Sequence, residues 1–138
     1  MRLLLLAFAL TVTACAQEEP AAPPGLAAGT YTKGGRDALC ISGQGGTQRA
    51  GFVVYGADNA NCSASGRIEA SGADWTLIPA GDAECRIPVT VTPGRISLGP
   101  SNPACAYYCG PGASFAGKSF SQSPSAKPAA DLAGDPLC

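Results

Sequence analysis

Residues 62–70 (CSASGRIEA) and 84–92 (ECRIPVTVT) alternate between apolar or small residues and polar residues. The residues that share the apolar face are Cys62, Ala64, Gly66, Ile68 and Ala70 in the first stretch, and Cys85, Ile87, Val89 and Val91 in the second. A period of two is typical of half-buried strands, so both stretches are predicted strands with a cysteine pointing inward. Pro88, on the outward face, has no N–H to donate and predicts a sheet edge or a bulge.

Further strands are predicted on both sides of this pair, around Tyr31 and over residues 38–42, 52–55, 74–78 and 95–98. Turns rich in Gly, Pro and Asn separate them, and no long helical period interrupts them. The sequence therefore predicts an all-β fold, an antiparallel meander closed as a small barrel or folded as a sandwich. One short helix is expected near residues 103–109, with Asn102 as its cap and Pro103 at its first position.

The chain has seven cysteines, and an exported chain is expected to oxidise them in pairs. If Cys15 is set aside, three disulfides are expected among the other six, Cys40, Cys62, Cys85, Cys105, Cys109 and Cys138. A Cys62–Cys85 bond is favoured because both lie on inward faces, with Cys40 and Cys138 each bonded to one of the helix cysteines. The alternative is a local Cys105–Cys109 bridge, whose helical spacing lies within disulfide reach.

The amino terminus has the pattern of an export signal, because Arg2 precedes an apolar run over residues 3–12 that is too short to span a bilayer. The run ends in Val12-Thr13-Ala14-Cys15, which resembles the lipobox of bacterial lipoproteins. The resemblance implies cleavage before Cys15 and its modification with acyl chains such as palmitate, and Ala16 favours an outer-membrane destination. The alternative is ordinary cleavage before Gln17, which would give a soluble periplasmic or secreted protein.

Four segments follow from these patterns: a signal peptide at residues 1–14, a lipidated cysteine with a Pro/Ala tether at 15–28, a β-domain at 29–120, and a tail at 121–138. The tail is rich in Ser, Pro and Ala and is not expected to build a core. Its last residue, Cys138, is expected to tie it down through a disulfide.

Composition excludes several function classes. The chain has no histidine, which removes Ser-His-Asp and Cys-His catalysis and His-ligated zinc, and it has no C-x-x-C for a metal or redox site. A net charge of −1 argues against nucleic acid as a partner. Asp58, Asp74, Asp82 and Glu84 could supply a carboxylate pair for an envelope hydrolase, but all four lie beside turn signals, where acidic residues are common. No catalytic residue, metal or cofactor is expected.

Residues 112–119 (GASFAGKS) fit the Walker A pattern from Gly112 to Ser119. The chemistry of that motif needs a buried strand before it and a long helix after it. Cys-Gly-Pro precedes the segment and Pro124 follows it, so no nucleotide is expected, and the segment is interpreted as a turn that lets Phe115 and Phe120 pack over one end of the domain.

A second motif is Ser63-Ala-Ser65-Gly-Arg67, followed by Trp75 and by Gly81-Asp82-Ala83. It resembles the membrane-bound c-type lysozyme inhibitor family of bacterial lipoproteins, over residues 63–83. That family has small disulfide-containing antiparallel β-barrels, with a Ser-Gly-Ala-Arg-Tyr-like segment before a Trp-Thr-Lys-Gly-Asp-like one. Here Ile68 stands in place of the tyrosine and Ala80 in place of the lysine.

The resemblance implies that Ser65, and with it Ser63, enters the cleft of a lysozyme-like protein, with Arg67 beside them. Without a resemblance, the same three residues are the polar outward face of a strand. The function expected from the sequence is an exported envelope lipoprotein with a non-catalytic binding or structural β-domain, and the alternative is a lysozyme inhibitor. A general binding module predicts an aromatic-lined pocket near Tyr107, Tyr108, Phe115 and Phe120.

Overall fold

The computed structural model describes residues 25–124 and 126–138, so the predicted signal peptide and Cys15 lie outside the described residues. In the described ranges, eight antiparallel strands form one closed barrel in sequence order, and the last strand pairs with the first. They are β1 (Gly29–Gly34), β2 (Asp37–Ser42), β3 (Arg49–Tyr55), β4 (Asn61–Ser71), β5 (Asp74–Pro79), β6 (Ile87–Thr92), β7 (Arg95–Leu98) and β8 (Ser119–Gln122). The predicted all-β meander is confirmed, and it is a barrel.

The alternating stretch 62–70 forms most of β4 and has the predicted faces as far as Ile68, whereas Ala70, expected to face inward, is exposed at the end of the barrel. Cys62, Ala64 and Ile68 are buried in the barrel core, while Arg67 is exposed on the outside. Gly66 is needed where β4 meets β5, because a Cβ there would overlap the carbonyl oxygen of Ile78. The interior is closed by large apolar side chains that are fully buried, among them Phe52, Phe120, Leu39, Leu77, Ile87, Ile96 and Leu98.

The second alternating stretch becomes a strand only from Ile87, where β6 begins, although Cys85 is fully buried as predicted. Pro88 is paired in regular register with Thr76, and each strand of the described barrel has two neighbours. The predicted edge or bulge at Pro88 is therefore wrong. Pro88 lies next to the end of the β6–β7 ladder, which begins at Val89. There the carbonyl oxygen of Pro88 accepts a hydrogen bond from the amide of Gly99 at 2.8 Å.

The predicted short helix is a 3₁₀ helix, Pro103–Tyr108, with proline at its beginning. Asn102 occupies the N-cap position as predicted, but its side chain makes no capping hydrogen bond. Its side chain instead bonds to the loop before β6, accepting the amide of Arg86 at 3.0 Å and donating to the carbonyl oxygen of Glu84 at 2.6 Å. This contact fixes the helix against the loop that carries Cys85.

All six cysteines outside the amino terminus form disulfides, Cys40–Cys138, Cys62–Cys109 and Cys85–Cys105. Three disulfides were predicted, but the favoured pairing is wrong. Cys62 and Cys85 do not meet because β5 lies between β4 and β6. The local Cys105–Cys109 alternative also fails, because a 3₁₀ helix has three residues per turn, so that positions i and i+4 diverge.

The strand β8 was not predicted, although it closes the barrel against both β7 and β1. It begins at the last residue of the Walker A-like segment, Ser119, and its Phe120 is fully buried. Residues 112–119 are thus turns leading into a strand rather than a phosphate loop between a strand and a helix. Phe115 is buried and packs against Phe52, with ring centroids 5.2 Å apart.

Residues 123–124 and 126–138, here called the C-terminal strap, cross the outer face of β2 and β3. Leu137 and Ala129 are buried there in a second apolar cluster with Cys40 and Val53. The expectation that the tail builds no core is therefore wrong. Gly51 allows the close approach, because a Cβ at this position would lie 2.8 Å from the Cβ of Leu137. The Cys40–Cys138 disulfide ties the end of the strap to β2, as expected for a terminal staple.

Candidate functional site

The largest cavity described, about 700 Å³, lies at the end of the barrel where β4 passes into β5. We call this end the barrel mouth. Four other depressions have volumes of about 180 to 410 Å³. The residues that line the mouth come from four parts of the chain: Gly25, Leu26 and Ala28; Gly43, Gln44, Gly45, Gly46 and Gln48; Ile68, Glu69 and Ala70; and Trp75. Mouths of β-barrels are among the places where proteins bind small molecules.

One wall of the mouth is formed by residues immediately before β1. Leu26 is 6% exposed and belongs to the barrel core, although the sequence placed it in the tether. Its carbonyl oxygen accepts a hydrogen bond from Nε2 of the buried Gln48 at 2.8 Å, and the hydroxyl of Tyr31 donates to the carbonyl oxygen of Ala27 at 2.8 Å. These two bonds fix the segment that leads out of the described structure against the mouth.

A second part of the lining is a glycine-rich loop that includes a single 3₁₀ turn, Gly45–Thr47. Gly43 has a φ of 78°, and a Cβ there would lie 2.7 Å from the carbonyl oxygen of Thr47, so only glycine fits without strain. The hydroxyl of Thr47 closes the loop by donating to the carbonyl oxygen of Gln44 at 2.9 Å. Three glycines therefore leave the wall without bulky side chains.

Trp75 forms the aromatic part of the lining and is the only tryptophan of the chain. It is half-buried, pairs with Ala70 and Val89 on neighbouring strands, and packs against the barrel core. Its indole N–H is buried without a hydrogen-bond partner in the described residues. Such an unpaired donor is uncommon and costs stability.

The lining carries one ionisable side chain, Glu69, and no lysine or arginine. Oε1 of Glu69 accepts a hydrogen bond from Nε of Arg67 at 2.6 Å, and both side chains are about half exposed on the outside of β4. The wall of the mouth is therefore mainly apolar and has Glu69 as its one charged side chain, which suits an uncharged ligand.

The three binding residues predicted from the sequence lie on the outward face of β4. Ser63 and Ser65 are half-buried and Arg67 is exposed. The fold brings Ser63 together with Asn61, Tyr107, Tyr108, Cys109 and Gly110 in a shallow depression of about 380 Å³ at the end of the barrel opposite the mouth. Ser65 and Arg67 do not line it.

The predicted pocket near four aromatic residues does not form. Phe115 and Phe120 are buried in the core, because both point into the closed barrel. Tyr107 remains 88% exposed, with its ring edge-on to Tyr108 at a centroid distance of 5.4 Å. Tyr108 packs against the same core cluster as the two phenylalanines, but no described depression is lined by all four aromatic residues.

Asp82, from the second motif of the resemblance, stabilises the loop before β6. Oδ1 accepts the amides of Glu84 and Cys85 at 2.9 and 3.1 Å, and Oδ2 accepts the hydroxyl of Tyr108 at 3.0 Å. The amide of Cys85 is the largest cause that lowers the pKa of Asp82 below its ordinary value. Desolvation, followed by the bond to Asp82, raises the pKa of Tyr108. The contacts of Asp82 are those of a structural residue.

The other acidic residues considered for catalysis also lie in turns or at strand ends, with Asp58 at a left-handed turn position and Asp74 at the first residue of β5. The described residues contain no group of three or more His, Cys, Asp or Glu side chains arranged to hold a metal ion. They also contain no helix long and apolar enough to cross a bilayer.

Comparisons with protein-family models, with curated proteins and with solved structures find no match to this chain.

The sequence did not predict the mouth, because its lining residues are separated by up to fifty positions and come together only when the barrel closes. Two features pointed towards it. One is the single tryptophan, and the other is the Gly43-Gln-Gly-Gly46 run, in which glycines stand close together between two strands.

Proposed function

We propose that the protein is an exported lipoprotein, held at the outer membrane by a lipidated Cys15, whose barrel is a non-catalytic module that binds a small apolar ligand at the mouth. The observation that carries the binding role is the cavity of about 700 Å³ with a mainly apolar lining that includes Trp75 and one charged side chain, Glu69. Its volume lies within the range of about 300–1,000 Å³ typical of small-molecule sites.

The cysteines support the proposal of export. Three disulfides account for every cysteine in the described residues, and such oxidised pairing is typical of proteins outside the cytoplasm. Cys15 is the seventh cysteine and is left over from this pairing. A cysteine directly behind an apolar signal sequence is the residue that lipoprotein processing would modify.

The binding role is tested by titrating the protein with N-phenyl-1-naphthylamine, an uncharged aromatic probe that accepts energy from tryptophan. Because Trp75 is the only tryptophan, energy transfer reports a probe bound close to the mouth. We expect saturable quenching of Trp75 emission. Ala70→Leu places a larger side chain in the mouth and should weaken binding by more than about tenfold, a change of about 1.4 kcal/mol.

The matched control is Ala57→Leu, the same substitution at an exposed position in the turn between β3 and β4, far from the mouth. It should leave the affinity unchanged. Absence of saturable energy transfer in the wild-type protein, or equal weakening by both substitutions, would contradict the binding role.

Lipidation is tested separately by growing cells that express the full chain with an alkyne analogue of palmitate. The wild-type protein should incorporate the label and partition into the detergent phase, because two or more acyl chains give firm membrane attachment. Cys15→Ala should abolish both. Label that persists in this variant would show that Cys15 is not the lipidated residue.

A second candidate function is inhibition of a c-type lysozyme, which the position of Ser63 favours. This serine lies beside the exposed Tyr107 in the depression at the far end of the barrel. Tyrosine is frequent among residues that dominate protein interfaces. The helix that carries it is held by the Cys85–Cys105 and Cys62–Cys109 disulfides, so little conformational freedom would be lost on binding.

This candidate is tested by adding residues 16–138 to a lysozyme assay at micromolar concentration. Hydrolysis should slow, and Ser63→Tyr should relieve the inhibition by crowding the depression. Ser121→Tyr, at an exposed position of β8, is the control and should still inhibit. An unchanged rate of hydrolysis with the wild-type chain would rule out this candidate.

A further inference from the structure

We propose that the ligand of the barrel mouth is a single hydrocarbon chain of a membrane lipid, inserted as far as Trp75 while the polar headgroup stays outside. This inference rests on the proposed function, because it names the class of ligand for the same site. Three observations support it: the few polar groups in the lining, its charge, and the short stretch of sequence between Cys15 and the wall of the mouth.

The lining offers little that would recognise a polar ligand. The lining has three polar side chains. One of them is Gln48, whose side-chain amide already donates a hydrogen bond to the carbonyl oxygen of Leu26. The indole N–H of Trp75 is itself buried and is not presented to the cavity surface. Sites for polar compounds hold converging donors and acceptors that fix the ligand, whereas this wall is made chiefly of aliphatic and aromatic groups and glycine backbone. It therefore suits a ligand segment without polar atoms.

The charge of the lining excludes an anionic group from the interior. Burying a carboxylate or phosphate without a cation is costly, and the lining contains no lysine or arginine. Its one charged side chain is the negatively charged Glu69, which is paired with Arg67 at the outer rim. A lipid would therefore insert its hydrocarbon chain and keep its headgroup in solvent.

The mouth is also the part of the domain that the anchored chain reaches first. Gly25 and Leu26 form part of its wall, and Gly25 lies ten positions after Cys15 in the sequence. Fully extended, ten residues span at most about 35 Å. A lipidated Cys15 would therefore hold the mouth within this distance of the bilayer surface, where lipid chains are the abundant apolar molecules.

The inference is tested by displacing N-phenyl-1-naphthylamine from the wild-type protein with the linear alcohols from 1-hexanol to 1-decanol. Each added CH₂ group that enters the mouth should lower the displacing concentration about three- to fourfold. The matched control is 1-adamantanol, which has the same number of carbon atoms as 1-decanol in a compact cage. A site for an extended chain should bind 1-decanol much more tightly.

Equal displacement by 1-adamantanol and 1-decanol, or no dependence on chain length, would overturn the inference while the probe still binds and the proposed function stands. Failure of the probe itself to bind would overturn the proposed function instead. As an independent readout, vesicles of phosphatidylethanolamine with brominated acyl chains should quench Trp75 in the lipidated full chain, and unbrominated vesicles should not. Equal emission with both vesicles would also overturn the inference.

Discussion

At the scale of single residues, Gly51 and Asp82 each determine how two segments of the chain contact each other. Gly51 lies under the C-terminal strap, where the backbone and side chain of Leu137 leave no room for a Cβ. Asp82 accepts two hydrogen bonds from amides of the loop before β6 and a third from the hydroxyl of Tyr108, which joins the loop to the 3₁₀ helix. Both contacts join residues that are distant in the sequence.

Gly51→Ala should destabilise the protein by about 1–3 kcal/mol, because the added methyl group must push Leu137 away from β3. The measurement is the free energy of unfolding in urea. Gly46→Ala is the control, since a Cβ at Gly46 meets nothing within 4 Å and its φ is not positive. That variant should change stability by less than about 0.5 kcal/mol, and an equal loss in both variants would contradict the packing of the strap.

Asp82 should make stability depend on pH in the acidic range. Its pKa is lowered in the folded protein below the ordinary value of 3.8, so its contribution is present above about pH 3.8 and is lost as the pH falls through the folded value. Asp82→Ala should therefore be less stable than the wild type at neutral pH, and the difference in melting temperature should shrink below pH 3.8.

Asp82→Asn is the control, because the amide keeps an acceptor oxygen but does not titrate. Its melting temperature relative to that of Asp82→Ala should not change through the same pH range. A difference between wild type and Asp82→Ala that grows as the pH falls would contradict the role assigned to the carboxylate.

At the scale of elements, β8 is the strand on which closure depends. This strand has four residues, and Phe120 is the only one of the four that is buried in the core. It nevertheless pairs with β7 on one side and β1 on the other, which removes the two edges that a seven-stranded meander would expose.

Phe120→Ala should lower the free energy of unfolding by about 3–5 kcal/mol, the usual cost of deleting a buried phenylalanine. Ser121→Ala, at the exposed neighbouring position, should change it by less than about 0.5 kcal/mol. The measurement is again unfolding in urea. A small effect of Phe120→Ala would mean that β8 does not close the barrel.

At the scale of the whole molecule, the three disulfides attach two different segments to the barrel. Two of them attach the 3₁₀ helix to one end of the barrel, and Cys40–Cys138 holds the strap to its outer wall. Apart from this bond, the strap is held by a hydrogen bond from the amide of Ser123 to the carbonyl oxygen of Thr30 at 2.9 Å and by the burial of Ala129 and Leu137.

Replacing Cys40 and Cys138 together by serine should loosen the strap while the barrel stays folded. A disulfide contributes about 2–4 kcal/mol, so cleavage by endoproteinase Asp-N at Asp131 and Asp135 should accelerate more than about tenfold. The far-ultraviolet circular dichroism spectrum should keep its β signal. Unchanged cleavage would show that the disulfide does not hold the strap.

The sequence predicts the parts of the fold in which one face of a strand is buried and the other is not. Residues 62–70 alternate for this reason, and the alternation was sufficient to identify β4 and its inward cysteine. In β8 only Phe120 is strongly apolar, so no period is visible. The disulfide partners depend on which strands are neighbours, and this order becomes known only when β5 is placed between β4 and β6.

The candidate site was less predictable for a related reason. Ser63, Ser65 and Arg67 were correctly placed on an outward strand face, but their ability to bind a partner depends on surfaces formed by distant segments. Only Ser63 acquires such neighbours, from the helix that contains Tyr107. The mouth unites Leu26, Gly43 and Trp75, which share no local pattern.

The most direct test of a ligand site at the barrel mouth is NMR spectroscopy of the amide and indole N–H groups while the protein is titrated with N-phenyl-1-naphthylamine. A single tryptophan gives a single indole N–H signal, from Trp75. This signal and the amide signals of Gly43 and Gly46 should shift together and saturate, while Gly112, at the opposite end of the barrel, should not move. Shifts confined to the far end, or an unchanged indole signal at saturation, would contradict a ligand site at the barrel mouth.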